Sequence, residues 1–303
     1  MIDNQPLVSI IMNCYNGQVY LEEALNSVVN QTYKNWELIF WDNISTDGSF
    51  KIFSKYKDGR FRYFYSDEHT ILYKARNLAI KKASGTLIAF LDTDDAWLPD
   101  KLEKQVPLFN DTSVGIVYGN CWIVNENNII KSKKIFSKKK LEKGMITRSL
   151  LDDYKVSLLT IIIRKSFIEE KKSIFDTDYD LLADYDFVIK FSLKHKFDCI
   201  QEPVGIYRRH ENQLTRIYFK KQVKQLEAWF LKIKSHSYLK SYDNICSIKN
   251  KIEYMKIINL IYDKKYFKSL EKIFQYPLSI NKFKLILILF LPDLILRYFR
   301  DHT

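Results

Sequence analysis

Thr86-Leu-Ile-Ala-Phe-Leu-Asp-Thr-Asp-Asp-Ala-Trp97 is the stretch on which the fold turns. Its apolar half, Thr86–Leu91, reads as a buried strand. It runs without a break into Asp92-Thr93-Asp94-Asp95. Side chains alternate faces in an extended chain, so Asp92 and Asp94 are expected to point the same way at the strand's end. No basic residue stands beside them in sequence, and two such carboxylates repel unless a cation sits between them. Hard oxygen ligands suit Mg2+ or Mn2+, with substrate phosphate oxygens completing the shell. The other reading is an acidic turn, with Asp94 or Asp95 capping a helix suggested by Trp97, Pro99 and Leu102. The motif alone leaves both open.

Upstream, strand and helix signals alternate. Leu7–Asn13, Trp36–Trp41 and Phe61–Tyr65 read as strands; Tyr20–Asn30, Ser49–Tyr56 and Leu72–Ala83 read as helices, the last ending near Gly85. Asn43-Ile-Ser-Thr-Asp-Gly48 is rich in turn and cap residues. This order predicts an α/β fold, with a mostly parallel sheet covered on both faces by helices. Ligands of such sheets bind beyond the carboxyl ends of the strands. Tyr15, Asn16, Asp42 and Asp92 to Asp95 all follow strand ends. Downstream the pattern loosens. Val114–Ile123 and Leu158–Ile163 read as strands, Lys131–Lys143 as a basic, turn-prone stretch and Asp184–His195 as a helix. From Tyr218 onward the chain reads as helical.

These pieces together resemble glycosyltransferase family 2, whose members have the GT-A fold. Val8-Ser-Ile-Ile-Met-Asn-Cys-Tyr-Asn16 is similar to that family's opening strand and Tyr-Asn turn. Trp36-Glu-Leu-Ile-Phe-Trp-Asp-Asn-Ile-Ser-Thr-Asp-Gly-Ser49 resembles its second strand and Asp-x-x-Ser-Thr-Asp loop. Ala75-Arg-Asn77 and Phe90-Leu-Asp-Thr-Asp-Asp-Ala-Trp97 resemble its Ala-Arg-Asn helix and metal motif. The resemblance spans roughly the first hundred residues in order and extends more weakly to Thr215. It implies a GT-A catalytic domain over 1–215, in which 1–110 bind the nucleotide sugar and 111–215 bind the acceptor and supply the base. Residues 216–303 then form a basic helical region.

The resemblance also implies roles. Tyr15 and Asn16 would lie at the nucleotide base, Asp42 would accept hydrogen bonds from it, and Arg76 would help hold the base or diphosphate. Asp92 would support the ribose and the metal, Asp94 would ligate the metal, and Asp95 is a further ligand. Inverting transfer needs a base opposite the leaving group. The family takes it from a Glu-Asp pair at a helix start; here Ala183-Asp184-Tyr185-Asp186 keeps the Asp and replaces the Glu. Asp184 is assigned as base and Asp186 held in reserve, with a plain N-cap as the competing role for Asp184. A helix N-terminus would favour its ionised form. Tyr207-Arg-Arg-His210 resembles the family's Tyr-Arg-x-His segment, so Arg208 is expected at phosphate and His210 at the metal or diphosphate. Asn13 stands where the family commonly has Pro.

Composition narrows the classes further. A chain of 303 residues, 47% hydrophobic and with only 8 Gly and 6 Pro, is not a disordered or low-complexity protein. Four scattered cysteines, Cys14, Cys121, Cys199 and Cys246, show no spacing for zinc or a disulfide framework. The opening residues lack the basic start and apolar core of a signal peptide, so a cytoplasmic location is expected. The net charge of +12 is concentrated from Glu211 onward, where 18 Lys and Arg face 8 Asp and Glu. That points to an anionic partner for the tail. Phe283–Phe299 holds too short an uncharged run to span a bilayer. It reads either as an interfacial segment against anionic headgroups or as a core helix that packs the appendage onto the catalytic domain. With the membrane reading, a polyprenyl-linked glycan is the expected acceptor, and Lys131–Lys143 would face lipid phosphates.

The expected function is therefore inverting, metal-dependent transfer of a sugar from a nucleotide donor, UDP by expectation, to a glycan hydroxyl. It would take place at the inner face of the cytoplasmic membrane. A nucleotidyltransferase would carry a Gly-rich phosphate loop, and Cys14-Tyr-Asn-Gly17 is not one. A nucleic-acid-binding module would interleave basic and aromatic residues on the sheet, whereas these strand ends carry acids. A catalytically inactive donor-binding protein would not need Asp92, Asp94 and Asp184 together.

Overall fold

The computed structural model describes residues 5–125, 133–168, 173–234 and 245–291. The chain divides into two compact units, one of residues 1–150 with 154–208, the other of 151–153 with 209–303. The division falls a few residues before the expected one after 215, where the last strand of the first unit runs out.

The first unit is built on a nine-stranded sheet. Its strands are β1 (Val8–Cys14), β2 (Trp36–Asp42), β3 (Phe61–Tyr65), β4 (Leu87–Phe90), β5 (Ala96–Trp97), β6 (Val114–Asn125), β7 (Lys134–Ile135), β8 (Ile162–Arg164) and β9 (Lys196–Arg209). Their order is β3-β2-β1-β4-β8-β6-β9-β5, with β7 paired to β6. The four strands expected to be parallel are so. β8 joins β4 antiparallel, and β6–β8, β6–β7 and β5–β9 are antiparallel too. The sheet is therefore mixed, parallel only in its first half. β1 and β2 are buried along their full length, which requires cover on both faces. Helix Gln18–Val29 supplies Leu21, Leu25 and Val28 against Val8, Ile10 and Met12 on one face. Helix Leu72–Ile80 packs against β1 and β2.

A buried polar network locks the start of this parallel half. Ser9 donates to Glu37 at 2.6 Å, and Arg62 donates to its other oxygen at 2.6 Å. The backbone N–H groups of Ser84 and Gly85 donate to Glu37 and Ser9. Burial pushes the Glu37 carboxyl up, but these donors outweigh it and hold the group below its ordinary value.

Two sequence expectations change. Leu158–Ile163 is not one strand: Leu158–Thr160 is a 3-10 turn and β8 starts at Ile162. The carbonyls of Leu159 and Thr160 accept from the Trp97 indole and the Gln105 amide instead of a ladder partner. The helix expected from Trp97 starts only at Lys101, because Ala96 and Trp97 pair with Ile206 and Gly205. In the basic stretch, residues 131 and 132 lie outside the described residues, and Lys134–Ile135 pairs with β6.

The second unit is helical where described: Leu214–Ile217, Phe219–Lys234, Ile245–Tyr262, Tyr266–Gln275 and Ile280–Leu289. Its core gathers Ile257, Ile258, Ile261, Ile273, Tyr276, Leu285 and Leu289. Helix Ile280–Leu289 buries Leu285 and Leu289 within this unit, while Phe283 and Leu287 stay exposed. Residues 292–299 of that segment lie outside the described residues.

A Cβ on Gly85 would sit 2.4 Å from the Leu7 carbonyl oxygen. Gly85→Ala is therefore expected to cost about 2 kcal/mol, seen as a lower denaturant midpoint. An unchanged midpoint would show that the chain entering β4 yields freely.

Candidate active site

The Asp-rich segment is a turn, not extended chain. β4 ends at Phe90, and Asp95 donates its backbone N–H to the Asp92 carbonyl at 3.2 Å. This corrects the expected alternation of faces, and its effect is to converge all three acids. One carboxylate oxygen from each of Asp92, Asp94 and Asp95 lies within 4.8 Å of the others. The capping role is also overturned, since the next helix begins after Asp100. Asp92 and Asp94 are partly exposed, whereas Asp95 is buried. Burial, then the charges of Asp94 and Asp92, pushes the Asp95 carboxyl well above the usual carboxylate range.

Cations brace this turn. Arg76, from helix Leu72–Ile80, is buried and ion-paired with Asp92. The tertiary fold therefore puts a basic residue beside the acids where the sequence showed none. Arg76 is thereby engaged with the turn. Arg208, near the end of β9, donates its backbone N–H to Asp95 at 2.9 Å and its Nε to the Asp94 carbonyl at 3.1 Å. Its guanidinium also donates to Glu23 at 2.6 Å and lies 4.6 Å from the Tyr20 ring centre. Gly17 closes the turn from the β1 side: a Cβ there would meet Thr93 Oγ1 at 2.7 Å.

The loops after β1 and β2 lie beside it. Tyr15 is half-exposed, with its ring 4.3 Å from that of His69. Asn16 adopts a left-handed φ of 53°. Its Oδ1 accepts from Thr46 N–H at 2.8 Å, and its own N–H donates to Ser45 Oγ. Asp42 is buried, with Oδ1 accepting from Ser45 N–H and Oδ2 from the Tyr63 hydroxyl, both at 2.7 Å. Asn16 and Asp42 thus shape the 43–48 loop as well as facing the strand ends.

Sequence reasoning missed three features here. Asp47 accepts from the N–H groups of Gln18 and Ser49, at the starts of two helices. Asn43 ties Thr70 and His69 to the end of β2. Its place in the Asp-x-x-Ser-Thr-Asp loop was the available signal, but not its partners. Asn13 and Trp41 are register partners on β1 and β2. The Asn13 amide atoms and the Trp41 indole N–H are buried with no hydrogen-bond partner among the described residues.

Asp184 is the second residue of helix Ala183–Ser192, whose cap is Leu182, so it is not an N-cap. It accepts from Tyr185 N–H at 2.8 Å and from the Tyr73 hydroxyl. The expectation that the helix terminus keeps it readily ionised is corrected. Burial outweighs the Tyr73 bond and the Arg76 charge, and pushes the carboxyl up. Asp186 is buried and paired with Lys190 at 2.7 Å. Tyr73 and Arg76 stand three residues apart on one helix face, so one turn of helix joins Asp184 to Asp92. His210 belongs to the second unit.

A parallel half-sheet, nucleotide-type loops at its carboxyl ends and a carboxylate turn define a GT-A glycosyltransferase architecture. The mannosyltransferase PcManGT of Pyrobaculum calidifontis, solved with GDP-Man and Mn2+, shares that fold with a TM-score of 0.65 at 16% identity. The match covers 98% of this chain and 84% of that one. The family model described as glycosyl transferase family 2 matches residues 9–170, and the chain belongs to that family. The Escherichia coli UDP-Glc:alpha-D-GlcNAc-diphosphoundecaprenol beta-1,3-glucosyltransferase WfgD is 35% identical over 54% of this chain. The Bacillus subtilis putative teichuronic acid biosynthesis glycosyltransferase TuaG is 41% identical over 37% of it. The aligned parts span 62% and 46% of the lengths of these two relatives.

Arg76→Leu leaves Asp92 without its buried cation, beside Asp94 and Asp95. It is expected to destabilise the chain by about 2 kcal/mol, between the small worth of an exposed pair and the loss on breaking a buried one. Urea unfolding in EDTA checks this.

Proposed function

We propose that the chain transfers a sugar, with inversion and with the help of Mn2+ or Mg2+, from a UDP-sugar to a hydroxyl of a polyprenyl-diphosphate-linked glycan. The observation that carries this is the convergence of Asp92, Asp94 and Asp95 beside the loops after β1 and β2. The relative WfgD is named for a UDP-Glc donor and a diphosphoundecaprenol-linked acceptor. The fold relative PcManGT was solved with a different nucleotide and Mn2+, so the donor base is the first thing to test.

The donor set fits a hard divalent cation, since three carboxylates offer oxygen ligands at one turn. Asp94 and Asp92 would hold it, with Asp95 in support. Bound there, the ion would offset the charge developing on the departing diphosphate. Tyr15 offers a ring face for the base, and Asn16 and Asp42 shape the pocket beneath it. The unpartnered Asn13 amide and Trp41 N–H suit a polar ligand at the same strand ends. Arg76 keeps Asp92 in place, and Arg208 braces the turn on which the phosphates would sit. The division into a catalytic domain and a basic tail belongs to the same proposal. So does a cytoplasmic location, with peripheral contact at the inner membrane face through the tail.

Asp184 is the base. It takes the proton of the acceptor hydroxyl as that oxygen bonds the anomeric carbon and the bond to the diphosphate breaks. Its raised pKa makes it a stronger proton acceptor than an exposed aspartate.

A panel of nucleotide sugars, GDP-Man included, with Mn2+, Mg2+ or EDTA tests the reading. Metal-dependent turnover of one donor, abolished in Asp94→Ala, is the expected result. Failure to bind any nucleotide sugar would refute it. A base acts when deprotonated, so kcat/KM is expected to rise with pH through a midpoint above the ordinary aspartate value. Asp184→Asn should lower kcat by about 10²–10⁴-fold and remove that acid limb; a retained limb would move the base elsewhere.

A further inference from the structure

Helix Tyr266–Gln275, which no motif singled out, carries Phe267, the most exposed large apolar side chain among the described residues. Phe267, Phe274, Leu278, Phe283, Leu287 and Phe290 are each between 60% and 92% exposed. Phe267 and Phe274 share one face of Tyr266–Gln275, seven residues apart. Phe283, Leu287 and Phe290 share one face of Ile280–Leu289, and Leu278 lies in the turn between. The two helices are tied together, since Lys282 donates its Nζ to the Phe274 and Tyr276 carbonyls at 2.8 Å. Their other faces are already committed to the core through Ile273, Leu285 and Leu289.

The charges around this surface select its occupant. Lys268 and Lys272 stand on the polar side of Tyr266–Gln275, and Lys284 follows Phe283. Residues 263–291 hold six lysines against Asp263 and Glu271. Asp263 is already paired with Lys220 and Lys265. Exposed aromatics with lysines on the polar face are the pattern of a helix lying in a lipid interface. No helix among the described residues is long and apolar enough to cross a membrane.

We propose that Tyr266–Gln275 and Ile280–Leu289 form one docking surface for an anionic lipid bilayer, with Phe267 and Phe274 entering the acyl boundary. This deepens the peripheral contact proposed above and holds whether or not the transferase chemistry does.

The test is flotation of the full chain with vesicles of phosphatidylcholine alone or with phosphatidylglycerol, alongside nucleotide-sugar binding and light scattering. The expected result is flotation with the anionic vesicles, weakened by salt. Phe267→Ser with Phe274→Ser is expected to lower partition by about tenfold or more, with nucleotide binding and unfolding midpoint unchanged. If that variant does not fold, Lys268→Gln with Lys272→Gln and Lys284→Gln decides, by losing the preference for anionic vesicles. Three results overturn the proposal: wild type that does not float, variants that float like wild type, or a wild-type dimer that the Phe variant converts to monomer. Flotation without nucleotide binding would sink the transferase reading and leave the surface standing.

Discussion

Three carboxylates whose oxygens lie within 4.8 Å of one another are the constraint around which the first unit is arranged. Two unit charges 4 Å apart near a protein surface repel by about 4 kcal/mol, so the turn cannot carry three full charges without compensation. The fold supplies it in two ways. Arg76 is buried against Asp92, and Asp95 is buried where its carboxyl resists ionisation. Both keep the three acids together just past the end of β4.

The same pair reaches the chemistry. Arg76 and Tyr73 lie on one helical face, and their partners Asp92 and Asp184 come from the end of β4 and from helix Ala183–Ser192. A single turn of helix thus ties Asp92 and Asp184, the proposed base, into one frame. Preorganisation of that kind is how a site avoids reorganising charge at the moment of reaction. Deeper in the sheet, the Ser9–Glu37–Arg62 network holds β1, β2 and β3 in register, so the strand ends that carry Tyr15 and Asp42 are fixed relative to the turn.

The second unit solves a different problem. Helix Ile280–Leu289 is apolar nearly all round, and one face suffices to close the small core with Ile257 and Ile261. Its opposite face keeps Phe283 and Leu287 exposed, and contiguous exposed apolar faces are where proteins make interactions.

By itself the sequence determined the parallel half of the sheet, because full burial of β1, β2 and β4 writes itself as continuous apolar runs, and helices between them write a 3.6-residue period. It also singled out the candidate acids, since Asp92, Asp94 and Asp184 occur in ordered motifs at strand and helix ends. It did not determine how those acids are arranged. That Asp92 to Asp95 turn and do not extend depends on β5 pairing with β9, a contact spanning over a hundred residues. The pairing of Arg76 with Asp92, the burial that raises Asp184 and the unpartnered Asn13 beside Trp41 were equally hidden. Local pattern is set by neighbours along the chain, whereas charge state and convergence are set by neighbours in space, and only the tertiary structure brings those together.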